Sequence, residues 1–181
     1  MPVDSLTKRY ARALYAEAAE RSEQGAIHAR LQATEAAVRA EPRLLEMLKH
    51  PGLPVERKVR MLQQVVGGDA QGREMFERFL TLVLTKGRQH VLEAAAEAFL
   101  ELWDADRNVV RAEVATVSAL SSIQMQKLQQ ALAELTGSSV ELDVSIDRSL
   151  IGGVAVRLGD RVIDGTIRGK LTRLSERLQR H

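Results

Sequence analysis

The apolar residues of this chain change their spacing once, near Asn108, and that change constrains the fold more than any other feature. From Val3 to Asp106 they recur at intervals of three and four, which stacks them on one side of successive helices. From Val110 they alternate, with Ala112 and Val114 separated by Arg111 and Glu113, the pattern of a strand with one buried face. An α+β class follows, with an N-terminal six-helix bundle in residues 1–107 and a small mixed α/β domain in 108–181. A length of 181 residues accommodates two such domains.

Punctuation within the first part divides it into six helices. The first places Leu6, Tyr10, Ala13 and Leu14 on one stripe, and the second places Ile27, Leu31 and Val38 before Pro42 stops it. A short third helix holds Leu44, Leu45 and Leu48. The run His50-Pro51-Gly52-Leu53-Pro54 breaks the chain and starts a fourth bearing Val55, Val59, Leu62 and Val66, which Gly67-Gly68-Asp69 ends. The fifth runs from about Arg73 to Lys86 with Gly87 as its cap, and the sixth carries Val91, Leu92, Ala95, Phe99, Leu102 and Trp103.

In the second part, Ser121 and Gln124 fit a capping box ahead of a helix bearing Met125, Leu128, Leu132 and Leu135. Val140 to Ile146 alternates without error. Leu150–Leu158, the turn Gly159-Asp160 and Arg161–Ile163 read as a hairpin. A final helix from about Gly165 sets Ile167, Leu171, Leu174 and Leu178 on one face and Arg168, Arg173, Arg177 and Arg180 elsewhere. The predicted order is βαββ followed by a long helix.

Chemistry finds no foothold in these residues. With no cysteine there is no disulfide framework and no thiolate ligand. His28, His50, His90 and His181 are scattered, without the spacing of a helical metal site. Gly169-Lys170 is followed by Leu171, and Asp164 stands where a phosphate-binding loop needs its first glycine. Asp160 and Asp164 read as a turn acid and a helix-capping acid rather than an acid–base pair. The expectation is therefore no catalytic residue, no metal and no cofactor.

A net charge of +2 is too small to mark a nucleic-acid binder by itself. The basic face of the last helix keeps that class open, alongside an acidic protein partner or plain solvation. No stretch approaches the roughly 18 consecutive apolar residues of a membrane span. Asp4, Glu17 and Glu20 set the first helix apart from a transit peptide. Two features ask for more. Gly152-Gly153 interrupts an apolar strand, which suggests a bulge or a close backbone approach. Phe79-Leu80-Thr81-Leu82-Val83-Leu84 is apolar on almost every side, which fits either a helix at the centre of its own bundle or a groove for a partner's amphipathic helix.

The stretch from Leu150 to Leu174, LIGGVAVRLGDRVIDGTIRGKLTRL, closely resembles the C-terminal motif of F-type ATP synthase delta subunits. Arg9-Tyr10-Ala11-Arg12-Ala13-Leu14-Tyr15 and the Gly87-Arg88 corner resemble the same family, which extends to the mitochondrial oligomycin-sensitivity-conferring protein. The resemblance implies a non-catalytic stator subunit that links the peripheral stalk to the catalytic headpiece and resists rotary torque. It implies that Tyr10, Ala13 and Leu14 face Phe79, Leu82 and Val83 across a groove that receives the N-terminal helix of an alpha subunit. It implies that the C-terminal part engages the C-terminal ends of the stalk b subunits, with Gly152, Gly153, Asp164, Gly165, Arg168 and Gly169 either touching them or shaping the fold. The location implied is the cytoplasmic face of a bacterial plasma membrane, held there only through the complex, with no nucleic-acid partner.

Overall fold

The structure, a computed structural model, describes residues 3–67, 70–159, 161–169 and 171. The chain is α+β and divides into two compact units, Met1–Trp103 and Asp104–His181.

Helices α1 (Ser5–Glu20), α2 (Gln24–Ala40), α3 (Pro42–Lys49), α4 (Val55–Val66), α5 (Arg73–Thr85) and α6 (Ala95–Asp106) follow in order, with a 3-10 turn, Gln89–Glu93, between the last two. Local chemistry fixes their ends. Asp4 caps α1 by accepting from the Thr7 amide at 2.8 Å, and the hydrogen bonds from Thr7 hold its carboxyl below the usual carboxylate range. Pro42 opens α3, where its missing amide costs nothing.

The apolar stripes of these helices meet in one core that includes Leu14, Ile27, Leu31, Leu48, Leu62, Phe76, Leu80, Val91 and Phe99. Two cations are buried with them. Arg30 sits on the apolar side of α2, between Ile27 and Leu31, and donates through Nη1 to the Gly67 carbonyl at 3.0 Å. It thereby serves a carbonyl at the C-terminal end of α4.

Val91 and Leu92 correct the expectation of one continuous sixth helix. They lie in the 3-10 turn, and Ala94, at φ −142, separates that turn from α6. Both side chains are nevertheless buried, because a 3-10 turn also brings residues three apart to one side.

The second unit is built on a sheet of order β2-β1-β3-β4. Strand β1 (Val109–Thr116) is parallel to β2 (Ser139–Ile146) and antiparallel to β3 (Val154–Leu158), which pairs with β4 (Arg161–Asp164). The crossover between β1 and β2 contains helix α7 (Ser122–Thr136). Alternation puts Ala112, Val114, Val140 and Val156 on the buried face against Leu132 of α7. Arg111 and Glu141 stand on the other face, 2.8 Å apart. Arg111 also donates to Asp104 in the last turn of α6, and that hydrogen bond raises the guanidinium's pKa further.

The pairing of Leu158 with Arg161 makes the β3–β4 link a two-residue turn, as the sequence predicts. The strand before it is shorter than predicted, beginning at Val154 instead of Leu150. Gly153 takes φ +87, which ends extended backbone there. Residues 167–169 start a helix, and its expected continuation through Leu174 and Leu178 lies outside the described residues.

The capping box of α7 is complete, with the Gln124 amide donating to Ser121 Oγ at 3.3 Å and the Ser121 amide donating to Gln124 Oε1 at 2.9 Å. Ser121→Ala is expected to destabilise the second unit by about 1 kcal/mol. Hydrogen exchange should register the loss first in the opening turn of α7.

Candidate partner-binding surfaces

Helices α1 and α5 pack side by side. Arg78 of α5 is ion-paired with Glu17 of α1, and Arg88, just past α5, donates through Nη1 to the Tyr10 hydroxyl at 2.9 Å. The same guanidinium lies 5.5 Å from the centre of the Tyr10 ring. These contacts link the two helices; sequence reading missed the Arg78–Glu17 pair, and named Arg88 only within the Gly87-Arg88 corner, without its partner Tyr10. A separation of 61 or 78 residues leaves no local trace of such pairings.

The six residues expected at this surface divide by depth. Leu14, Phe79 and Val83 are buried in the core, Tyr10 is half-buried against it, and Ala13 and Leu82 are exposed. The surplus of apolar side chains on α5 is thus mostly consumed internally, since Leu80 and Leu84 are buried as well. Leu82 is the exception, 48% exposed. Tyr10, Ala13 and Leu82 are the members of the expected six that reach solvent, on two helices joined by the Glu17–Arg78 pair and the Arg88–Tyr10 hydrogen bond. Such a surface can hold an apolar helix face.

In the second unit, the region from Ile151 to Gly169 folds back on itself. The Gly165 amide donates to the Val154 carbonyl at 2.9 Å and the Ile167 amide donates to the Gly152 carbonyl at 3.0 Å. Thr166 caps the helical turn at 167–169, its Oγ1 accepting from the Gly169 amide at 3.0 Å, and Asp164, expected as the helix-capping acid, instead holds the cap residue by accepting from the Thr166 amide at 2.8 Å.

Two of the glycines are required by this closeness. A Cβ on Gly153 would stand 2.5 Å from the Gly165 carbonyl oxygen and 2.8 Å from Thr166 Cα. On Gly169 it would stand 2.2 Å from Asp164 Oδ2, so that carboxylate occupies the space a side chain would need. Gly152 and Gly165 lie in the same crossing, and Arg168 is exposed beside it. Fold-building is a sufficient reason for the glycines. Around them Ile151, Val162, Ile167 and Leu171 are exposed apolar side chains.

Among the described residues no group of His, Asp or Glu is placed to hold a metal ion, and no helix is long and apolar enough to cross a membrane.

Comparison with known proteins gives a consistent result. The family described as ATP synthase delta (OSCP) subunit matches residues 6–178. The chain is 34% identical over 174 residues to ATP synthase subunit delta of Desulfitobacterium hafniense (strain Y51), covering 96% of each chain. It is 35% identical over 173 residues to ATP synthase subunit delta of Caulobacter vibrioides, covering 96% of this chain and 94% of the relative. A chain in a structure of the Toxoplasma gondii mitochondrial ATP synthase hexamer shares the fold, with a TM-score of 0.63 over 97% of this chain and 98% of that one at 22% identity.

Proposed function

Because the chain belongs to the ATP synthase delta (OSCP) subunit family, we propose that it is the non-catalytic stator joint of a bacterial F-type ATP synthase, fastening the peripheral stalk to the catalytic headpiece. In this reading the first unit, as a six-helix bundle, receives the N-terminal helix of an alpha subunit along α1 and α5. The second unit takes the C-terminal ends of the stalk b subunits. The protein sits at the cytoplasmic face of the membrane and reaches it only through the complex.

The observation that carries the reading is Leu82. It is the one large apolar side chain of α5 left in solvent, while Leu14, Phe79 and Val83 already fill the core, and in this reading it forms the docking surface together with Tyr10 and Ala13 of α1. A partner helix gains an anchor there without any rearrangement of the core.

A head that surrounds a turning shaft rotates with it unless something holds it. The joint therefore needs affinity and stiffness and no chemistry of its own. An interface of about 800 Å² per partner is compatible with nanomolar binding, and two such interfaces on one chain raise the effective concentration of each.

Titration of the full chain with a synthetic peptide of the cognate alpha-subunit N-terminus tests this. Saturable binding with one site per chain is expected. A folded chain that takes up no peptide overturns the assignment of this surface.

A further inference from the structure

The first unit carries a second cleft that the stator reading does not use. About 530 Å³ in volume, it lies where the start of α1, the end of α2, the start of α3 and the 3-10 turn before α6 converge. Val38, Leu45 and Pro42 give it apolar walls. Four carboxylates, Asp4, Glu35, Glu93 and Glu97, line it against Arg39 and His90.

Both of these basic side chains already have a partner. Arg39 donates to Glu35 at 2.6 Å, and His90 Nε2 lies 3.6 Å from Asp4, the acid that caps α1. Glu93 and Glu97 are exposed, four residues apart, and among the described residues neither has an ion pair. Both carboxylates line the cleft, so a cation arriving from outside would meet them there.

We propose that this cleft is a docking site for a basic amphipathic helix of another polypeptide, whose apolar side chains enter between Val38 and Leu45 and whose Lys or Arg residues meet Glu93 and Glu97. The alternatives fail on chemistry. A bare metal ion lacks a ligand set among the described residues. Anionic lipid and nucleic acid are repelled by the same carboxylates. An extended peptide needs a free sheet edge, and the described elements of the first unit are all helical. A helix laid in a groove with basic flanks satisfies both the walls and the rim.

A fluorescein-labelled model helix of leucine and lysine in amphipathic order serves as the probe, with its leucine–glutamate twin as control. Both are titrated by anisotropy against the full chain. The lysine helix should saturate with one site per chain and the glutamate helix should not. The double variant Glu93→Lys/Glu97→Lys should weaken the lysine helix by at least about tenfold with an unchanged circular dichroism spectrum, since both positions are exposed. Leu82→Arg should leave this binding intact, so the site is separable from the one assigned to the alpha-subunit helix. Unsaturable uptake, indifference to the double variant, or loss through Leu82→Arg would each overturn the proposal.

Discussion

Leu82→Arg is expected to weaken binding of the alpha-subunit peptide by at least about a hundredfold while the free chain keeps its helical spectrum and melting temperature. The free chain tolerates the change because Leu82 already faces water, and an arginine there can extend into solvent. The complex does not, because a docked helix would cover the guanidinium without supplying it a partner. Burying an unpaired charge costs several kcal/mol, and central anchors of an interface typically lose about 2 kcal/mol or more when removed. Val65→Arg on α4 is the matched control, since Val65 is also largely exposed but lies on another helix. Equal loss of binding in both variants would mean that added positive charge, and not the site, is responsible.

The second large effect is on folding. Gly153→Ala should lower the melting temperature of the second unit by about 15 °C or abolish its transition, as read by calorimetry. Alanine at φ +87 is strained by about 1–3 kcal/mol, and a methyl group 2.5 Å from a carbonyl oxygen forces backbone to move for about as much again. Against this stands a small core of Ala112, Val114, Leu132, Val140 and Val156. Domains of such size are stable by only about 0.05–0.15 kcal/mol per residue, and each kcal/mol lost is worth about 4–8 °C. Gly159 separates the two causes, because it also has positive φ, +56, but its Cβ would meet nothing within 4 Å. Gly159→Ala should cost only about 1 kcal/mol. If both substitutions are equally harmful, backbone strain alone explains them and the crowding argument fails.

Much of this architecture is legible in the chain because it is local. The period change at Asn108, the breakers at 50–54 and 67, the capping box at Ser121 and the turn at Gly159 each act within a few residues, and the structure has each of them. The 3-10 turn before α6 left no mark. Val91, Leu92 and Ala95 satisfy a helical stripe equally well, and no glycine or proline stands between Arg88 and Ala94. The late start of β3 was signalled only in part: Gly152-Gly153 marked an interruption, but Leu150 and Ile151 look like strand residues until Gly153 is known to turn the backbone at φ +87.

The proposed partner surface was legible as a surplus of apolar residues on α5, but not in its division. Only packing shows that Phe79 and Val83 belong to the core and Leu82 to the outside. Arg30 could have been anticipated from its place three residues after Ile27, on the apolar side of α2. Its carbonyl partner at Gly67, 37 residues on, could not.

The position of β1 bears on how the protein is made. It is the first strand of its sheet to be synthesised, yet it lies between β2 and β3. Its parallel neighbour starts only at Ser139, after the whole of α7, so at about 5–20 residues per second the ribosome leaves β1 unpaired for roughly one to five seconds. During that interval the earlier helices already have every residue of their own core, while Val110, Ala112 and Val114 have none of theirs. Exposed strand edges of that kind invite pairing with other chains. Arg111 and Glu113, alternating with those apolar residues, place charge along the waiting strand and so guard it until its partners emerge.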